Sequence, residues 1–88
     1  MPWKVSISET ADKQLARLGR QEEKRIRRFL RERVELCDNP RSFGDPLLGN
    51  FSGLWRYRVG DFRLICDIQD EDIIVLVLKI GHRREIYK

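Results

Sequence analysis

The 88-residue chain carries 41% hydrophobic residues, enough for one core, so a single domain near the small end of what folds unaided is expected over residues 1–88. Its 36% charged residues leave a net charge of +4, which favours a nucleic-acid or acidic-protein partner. Two isolated cysteines and one histidine form no metal-ligand spacing, and no apolar run is long enough to span a membrane, so a cytoplasmic protein without metal or cofactor is expected.

In chain order, Trp3, Val5 and Ile7 alternate with Lys4, Ser6 and Ser8 and predict a first strand. Ser8 or Thr10 caps a short helix that buries Ala11, Leu15 and Leu18 at i, i+4 and i+7, and Gly19 fits its end. A second helix begins near Arg20–Gln21, with Glu22 and Glu23 suited to the positive end of its dipole. It buries Ile26, Phe29, Leu30, Val34 and Cys37, and Asn39-Pro40 ends it. The other face carries Lys24, Arg25, Arg27, Arg28, Arg31 and Arg33 among Glu32 and Glu35. That face is either solvated or a docking surface for RNA or an acidic partner. Cys37 and Cys66 fall at apolar positions, which fits free buried thiols; a disulfide or a metal pair is the other reading.

Residues 40–50 read as a loop with apolar plugs at Phe43, Leu47 and Leu48. The stretch from Leu54 to Cys66 then reads as two strands around a two-residue turn, Gly60-Asp61, with glycine supplying φ > 0 at the first position. This register sets Val59 against Phe62 and Arg58 directly opposite Arg63, with Arg56 on the same face. Like charges directly opposite across strands destabilise a sheet by ~0.2–1 kcal/mol. A fold gains nothing from three guanidinium groups there; a bound polyanion supplies the reason. Residues 69–72 form a polar turn, and residues 73–80 an almost continuously apolar inner strand. Val75 and Val77 share the face of Leu64 and Cys66, while Ile74, Leu76 and Leu78 share that of Arg63. This second stripe is covered either by the loop and the N-terminal segment or by a partner chain. Gly81 breaks the strand before a basic tail containing Ile86 and Tyr87. The order β-α-α-β-β-β predicts an α+β domain, a helical hairpin on one face of a small, mostly antiparallel sheet.

The candidates for chemistry are Arg56, Arg58, Arg63, His82, Arg83, Arg84 and Tyr87. No Gly-rich phosphate loop and no Ser-His-Asp set is present, and Asp61 reads as a turn residue. A cationic surface with one imidazole and one phenol suits phosphate binding. It also suits metal-independent cleavage of RNA, in which the 2′-OH attacks the adjacent phosphorus. Arginine neutralises the growing phosphoryl charge well but, with a pKa above ~12, accepts protons poorly. A plain nucleic-acid-binding module explains the same composition.

The run Trp55-Arg56-Tyr57-Arg58-Val59-Gly60-Asp61-Phe62-Arg63-Leu64-Ile65, the apolar strand and the ending Gly81-His82-Arg83-Arg84-Glu85-Ile86-Tyr87 resemble the RelE toxins of bacterial toxin–antitoxin systems. The resemblance covers essentially the whole chain, although ParE-type toxins, which poison DNA gyrase, share the strand–turn–arginine pattern. It implies a microbial-ribonuclease-like fold and a metal-independent endonuclease that cuts mRNA in the ribosomal A site. It further implies a cognate antitoxin that blocks the toxin and, with it, binds operator DNA. By this resemblance Arg58, Arg63, His82, Arg83 and Tyr87 are catalytic, and Arg56, Arg84 and Lys88 contact RNA. The best-described members carry lysines where Arg56 and Arg58 stand, and arginine accepts protons poorly, so His82 or Tyr87 is expected to take part in proton transfer while Arg58, Arg63 and Arg83 stabilise charge.

Overall fold

A computed structural model of the protein describes residues 3–86. Strand β1 (Lys4–Ile7) leads into helix α1 (Glu9–Arg17) and helix α2 (Arg20–Phe29). A two-residue strand β2 (Asp45–Pro46) follows, then β3 (Trp55–Val59), β4 (Phe62–Gln69) and β5 (Ile74–His82). Among the described residues these strands form one sheet in the order β1-β5-β4-β3-β2, with β1 parallel to β5 and every other pairing antiparallel. The expected α+β architecture is therefore present, a helical hairpin on one face of a mixed, mostly antiparallel sheet.

Local chemistry explains the helices. Ser8 is the cap of α1: its Oγ accepts from the Ala11 N–H at 3.0 Å, and Glu9 and Asp12 stand in the first turn. Gly19, at φ +93°, makes the corner into α2, where Glu22 and Glu23 open the helix and Arg27 and Arg28 close it. Ile26, Leu30 and Val34 are all buried. An i, i+4, i+8 repeat drifts around an α-helix by ~40° per step. The helix takes up this drift by widening to i+5 hydrogen bonding over Leu30–Val34, where the Glu35 N–H donates to the Leu30 carbonyl at 2.9 Å.

The helices cover a core of Ala11, Leu15, Ile26, Leu30 and Val34 against Tyr57, Val59, Leu64, Cys66, Val75, Val77 and Ile80. Each fully buried aliphatic chain of this kind contributes ~1.5–3 kcal/mol. Both thiols are free; Cys66 is buried in this core and Cys37 is half-buried. On the opposite face Leu47 and Ile86 close over Ile65, with Phe51 and Leu54 beside them. Ile74, Leu76 and Leu78 remain half-buried, so the loop covers Ile65 rather than that stripe.

Three features depart from the sequence reading. The loop after α2 contributes β2 and a 3₁₀ turn at Gly49–Phe51. The last turn falls at residues 70–73, with Gln69 opposite Ile74 and Ile73 held at φ +55°. Strand β5 runs through Gly81 to His82 and carries a bulge: Cys66 faces Val77, but Ile65 faces Lys79 and Leu64 faces Ile80. Leu78 is thus the extra residue. Strict alternation from Val75 and Val77 sends Lys79 into the core; the bulge puts Ile80 there instead. Gln14 of α1 accepts from the Ile80 N–H at 2.7 Å.

Candidate active site

The β3–β4 hairpin is as the sequence predicts. Gly60 adopts φ +60°, Val59 pairs with Phe62, and Arg58 pairs with Arg63. Tyr57 and Val59 point into the core. Arg56 and Arg58 therefore project from the other face, and Arg63 joins them. The Arg63 guanidinium curls onto the turn, donating from Nη1 to the carbonyls of Gly60 and Phe62, each at 3.1 Å. The Arg83 N–H donates to the Asp61 carbonyl at 2.8 Å, so the C-terminal segment is tied to the hairpin tip. Arg83 and Arg84 are exposed there. Tyr87 and Lys88 lie outside the described residues.

His82 is placed elsewhere. It pairs with Phe62, and their rings meet edge to face at 5.9 Å. Phe62 packs on the helix-covered core, so the imidazole stands on the sheet face opposite Arg58 and Arg63. The bulge at Leu78 is the cause. Without it, His82 shares the face of Ile74, Leu76 and the arginines; with it, every residue beyond Leu78 changes side. The Arg84 N–H reaches His82 Nδ1 at 3.3 Å. A backbone N–H only donates, so Nδ1 is the acceptor in this contact. The His82 carbonyl also accepts from Glu85 and Ile86 at 2.9 and 3.0 Å, which folds the segment back over the sheet.

A residue the sequence reading passed over stands among the arginines. Asp45 of β2 lies directly opposite Arg56. Its Oδ2 accepts from Arg56 Nη2 at 3.0 Å and stands 3.7 Å from Arg58 Nε. The strand that carries it is held by close approach. Gly44, at φ +83°, lies so near β3 that a Cβ there comes within 2.5 Å of the Arg56 carbonyl oxygen and of Trp55 Nε1. Trp55 Nε1 donates to the Phe43 carbonyl at 2.8 Å. Beyond β2 the edge of β3 opens into a cleft of about 340 Å³, lined by Phe29, Arg33, Phe43, Asp45, Tyr57 and Arg58. The Arg33 guanidinium lies over the Phe43 ring, 5.0 Å from its centroid. Tyr57 closes the cleft floor; burial pushes its phenol up, and its hydroxyl donates to the Pro40 carbonyl at 2.5 Å.

Chemically, the face offers fixed cations at a hairpin tip, one carboxylate held between two of them, and an aromatic cleft alongside. Among the described residues, no group of three or more His, Cys, Asp or Glu is assembled that could hold a metal ion. No helix among them is long and apolar enough to cross a membrane.

A two-layer α+β scaffold with an arginine-studded open sheet face defines a class of small basic domains, and known proteins share it. The chain matches, over residues 5–87, the family described as the ParE toxin of type II toxin–antitoxin system, parDE. It is 32% identical over 93 residues to the toxin RelG of Mycobacterium tuberculosis, covering 100% of this chain and 99% of that protein. The RelBE2 toxin–antitoxin complex of Mycobacterium tuberculosis aligns with a TM-score of 0.85 and 28% identity, over 94% of this chain and 100% of that one. The archaeal RelE–RelB complex from Pyrococcus horikoshii aligns with a TM-score of 0.75 and 29% identity, over 97% of this chain and 99% of that one. The chain belongs to the RelE/ParE family of toxins of type II toxin–antitoxin systems.

Proposed function

We propose that this toxin is a ribosome-dependent endoribonuclease that cleaves mRNA in the A site by attack of the RNA's own 2′-OH, without a metal. The observation that carries the reading is the directly opposed pair Arg58 and Arg63 on the arginine face of the hairpin, with Arg83 tied to its tip. Such a set costs the fold electrostatic energy and suits the charge that grows on a phosphoryl group in flight. Arg58, Arg63 and Arg83 stabilise that charge, and Arg56, Arg84 and Lys88 hold the RNA strand. Tyr87 orients the substrate. His82 acts through the C-terminal turn that its carbonyl and Nδ1 organise, which presents Arg83 and Arg84. A His82→Gln variant that retains full cleavage over pH 6 to 8 removes His82 from proton transfer.

The same reading assigns the partners. Two of the similar structures are complexes of a toxin with its antitoxin. A cognate antitoxin covers the basic face here too, the complex rather than the toxin meets operator DNA, and the free toxin meets ribosomal RNA in the cytoplasm.

The test is transcript mapping in a bacterial translation extract with purified protein, wild type against Arg63→Ala. Cuts within ribosome-occupied codons that vanish with the substitution support the reading. A second reading, gyrase poisoning, is favoured by the matched family's description as a ParE toxin. Uncut transcripts, normal translation and blocked DNA supercoiling establish it instead.

A further inference from the structure

The arrangement of arginines leaves a chemical gap, and the structure fills it with a residue from outside the hairpin. A guanidinium cannot take the 2′-OH proton. The one histidine stands on the opposite sheet face, with Nδ1 already occupied by the Arg84 N–H. Asp45 is a half-exposed carboxylate on the arginine face, and it also lines the aromatic cleft.

We infer that Asp45 is the proton acceptor of the cleavage reaction, serving the nucleotide whose phosphate Arg58 holds at the rim of the cleft; the inference rests on the endonuclease reading above.

Three observations converge on it. First, the carboxylate is positioned rather than incidental. Its strand is two residues long and pairs with β3 at Asp45–Arg56 and Pro46–Trp55. The close approach of Gly44 to the Arg56 carbonyl oxygen and Trp55 Nε1 fixes where that strand begins. Second, both short contacts go to Oδ2. Arg56 and Arg58 thus approach one oxygen, and the half-exposed carboxylate keeps acceptor capacity toward solvent. Third, the cleft offers what a nucleotide needs. The Phe43 ring packs against both the Arg33 guanidinium and the Tyr57 ring, each 5.0 Å from its centroid, so what the cleft presents to a nucleotide is the exposed guanidiniums of Arg33 and Arg58 at its rim, one a stacking plane and the other a phosphate ligand.

The 2′-O–H bond breaks and its proton passes to the Asp45 carboxylate as the 2′-oxygen bonds to phosphorus. The P–O5′ bond breaks, and the leaving 5′-oxygen takes a proton from water. The products are a 2′,3′-cyclic phosphate and a 5′-hydroxyl, and Asp45 then returns its proton to solvent. Net charge at the site is unchanged: negative charge leaves the carboxylate as it builds on the phosphoryl oxygens. Arg58 holds Asp45 loosely, at 3.7 Å with 58% of its side chain exposed, so it is free to follow that charge. Arg56, at 3.0 Å and 21% exposed, stays as the anchor.

The test is single-turnover cleavage of ribosome-bound mRNA from pH 5 to 8, comparing wild type, Asp45→Asn and Asp45→Glu, each checked for folding by a thermal melt. Asparagine keeps an oxygen acceptor for Arg56 but cannot accept a proton. The charged groups facing Asp45 are Arg56 and Arg58 from β3 and Arg33 across the cleft. Loss of about 10²–10⁴-fold in rate in Asp45→Asn with partial recovery in Asp45→Glu supports the inference. Cleavage by Asp45→Asn within about threefold of wild type, with the same pH profile, overturns it and leaves the endonuclease reading standing. Asp45→Ser, which removes the carboxylate with a smaller side chain, is the second variant: cleavage within about threefold of wild type overturns the inference where Asp45→Asn fails to fold. A substrate with sulfur in place of the leaving 5′-oxygen separates the two proton transfers: rescue of Asp45→Asn by this sulfur marks Asp45 as the donor to the leaving group and overturns its role as acceptor. Uncut mRNA with the wild type overturns both readings together.

Discussion

The opposed pair Arg58 and Arg63 predicts a measurable conflict between stability and function. The perturbation is a double-mutant cycle with Arg58→Gln and Arg63→Gln. Each single change also removes other contacts: Arg58 its 3.7 Å approach to Asp45, Arg63 its two bonds to the Gly60 and Phe62 carbonyls. Those losses are specific to one residue and cancel in the cycle, which isolates the term between the two guanidiniums. That term is expected to be repulsive, about 0.2–1 kcal/mol at low ionic strength. The Debye length falls from ~30 Å at 0.01 M salt to ~3 Å at 1 M, so the coupling should shrink toward zero across that range. The assay is urea unfolding. Midpoints are compared at a shared m-value, because extrapolated free energies carry errors of roughly 10–15%. For a domain of this size ~1 kcal/mol moves the thermal midpoint by about 4–8 °C, so melts serve as a second readout. A favourable coupling, or one indifferent to salt, refutes the reasoning that the fold tolerates this pair for the sake of a ligand.

Further outcomes follow from the same structure. Gly44→Ala should destabilise the protein by more than about 1–3 kcal/mol, since the strained φ alone costs that much and the added Cβ meets backbone and the Trp55 ring; an unchanged urea midpoint contradicts this. Burial pushes both thiols up, but Cys66 is fully buried and Cys37 only half so. A thiol reagent should therefore modify Cys37 first and Cys66 only on unfolding, and equal rates speak against the packing described here. Arg41 donates to both oxygens of Asp70, at 2.8 and 3.0 Å, and holds that carboxyl below the usual range. A depressed carboxylate adds stability above its ordinary range and loses it as pH falls through the lowered value. Arg41→Gln should flatten the acid side of the stability–pH curve slightly, because the pair is exposed; an identical curve removes the pair from the account.

The hairpin was readable because everything that fixes it is local. Alternation set the faces, Gly60 set the turn, and the opposition of Arg58 to Arg63 followed by counting. Helix faces were readable for the same reason, down to the cap at Ser8. The site was less so, for two identifiable causes. One inserted residue at Leu78 moved His82 to the other side of the sheet, and nothing in the run from Ile74 to His82 marks which residue bulges. One signal was available: alternation without a bulge buries Lys79, which argues for a shift of phase between Val77 and Lys79. Asp45 went unseen because its neighbours are eleven and thirteen positions away in sequence, brought together by a two-residue strand too short to show a period. The glycine before it, needed for close approach to β3, is the trace it leaves.

The proposed cleavage uses the RNA's own hydroxyl. The most direct measurement is the end chemistry of fragments released from ribosome-bound mRNA by the wild-type protein, with an otherwise identical message carrying a 2′-deoxynucleotide immediately 5′ of the cut. The account predicts 2′,3′-cyclic phosphate and 5′-hydroxyl ends, and no cut at the deoxy position. Fragments bearing 5′-phosphates, or undiminished cleavage at the deoxy position, contradict it.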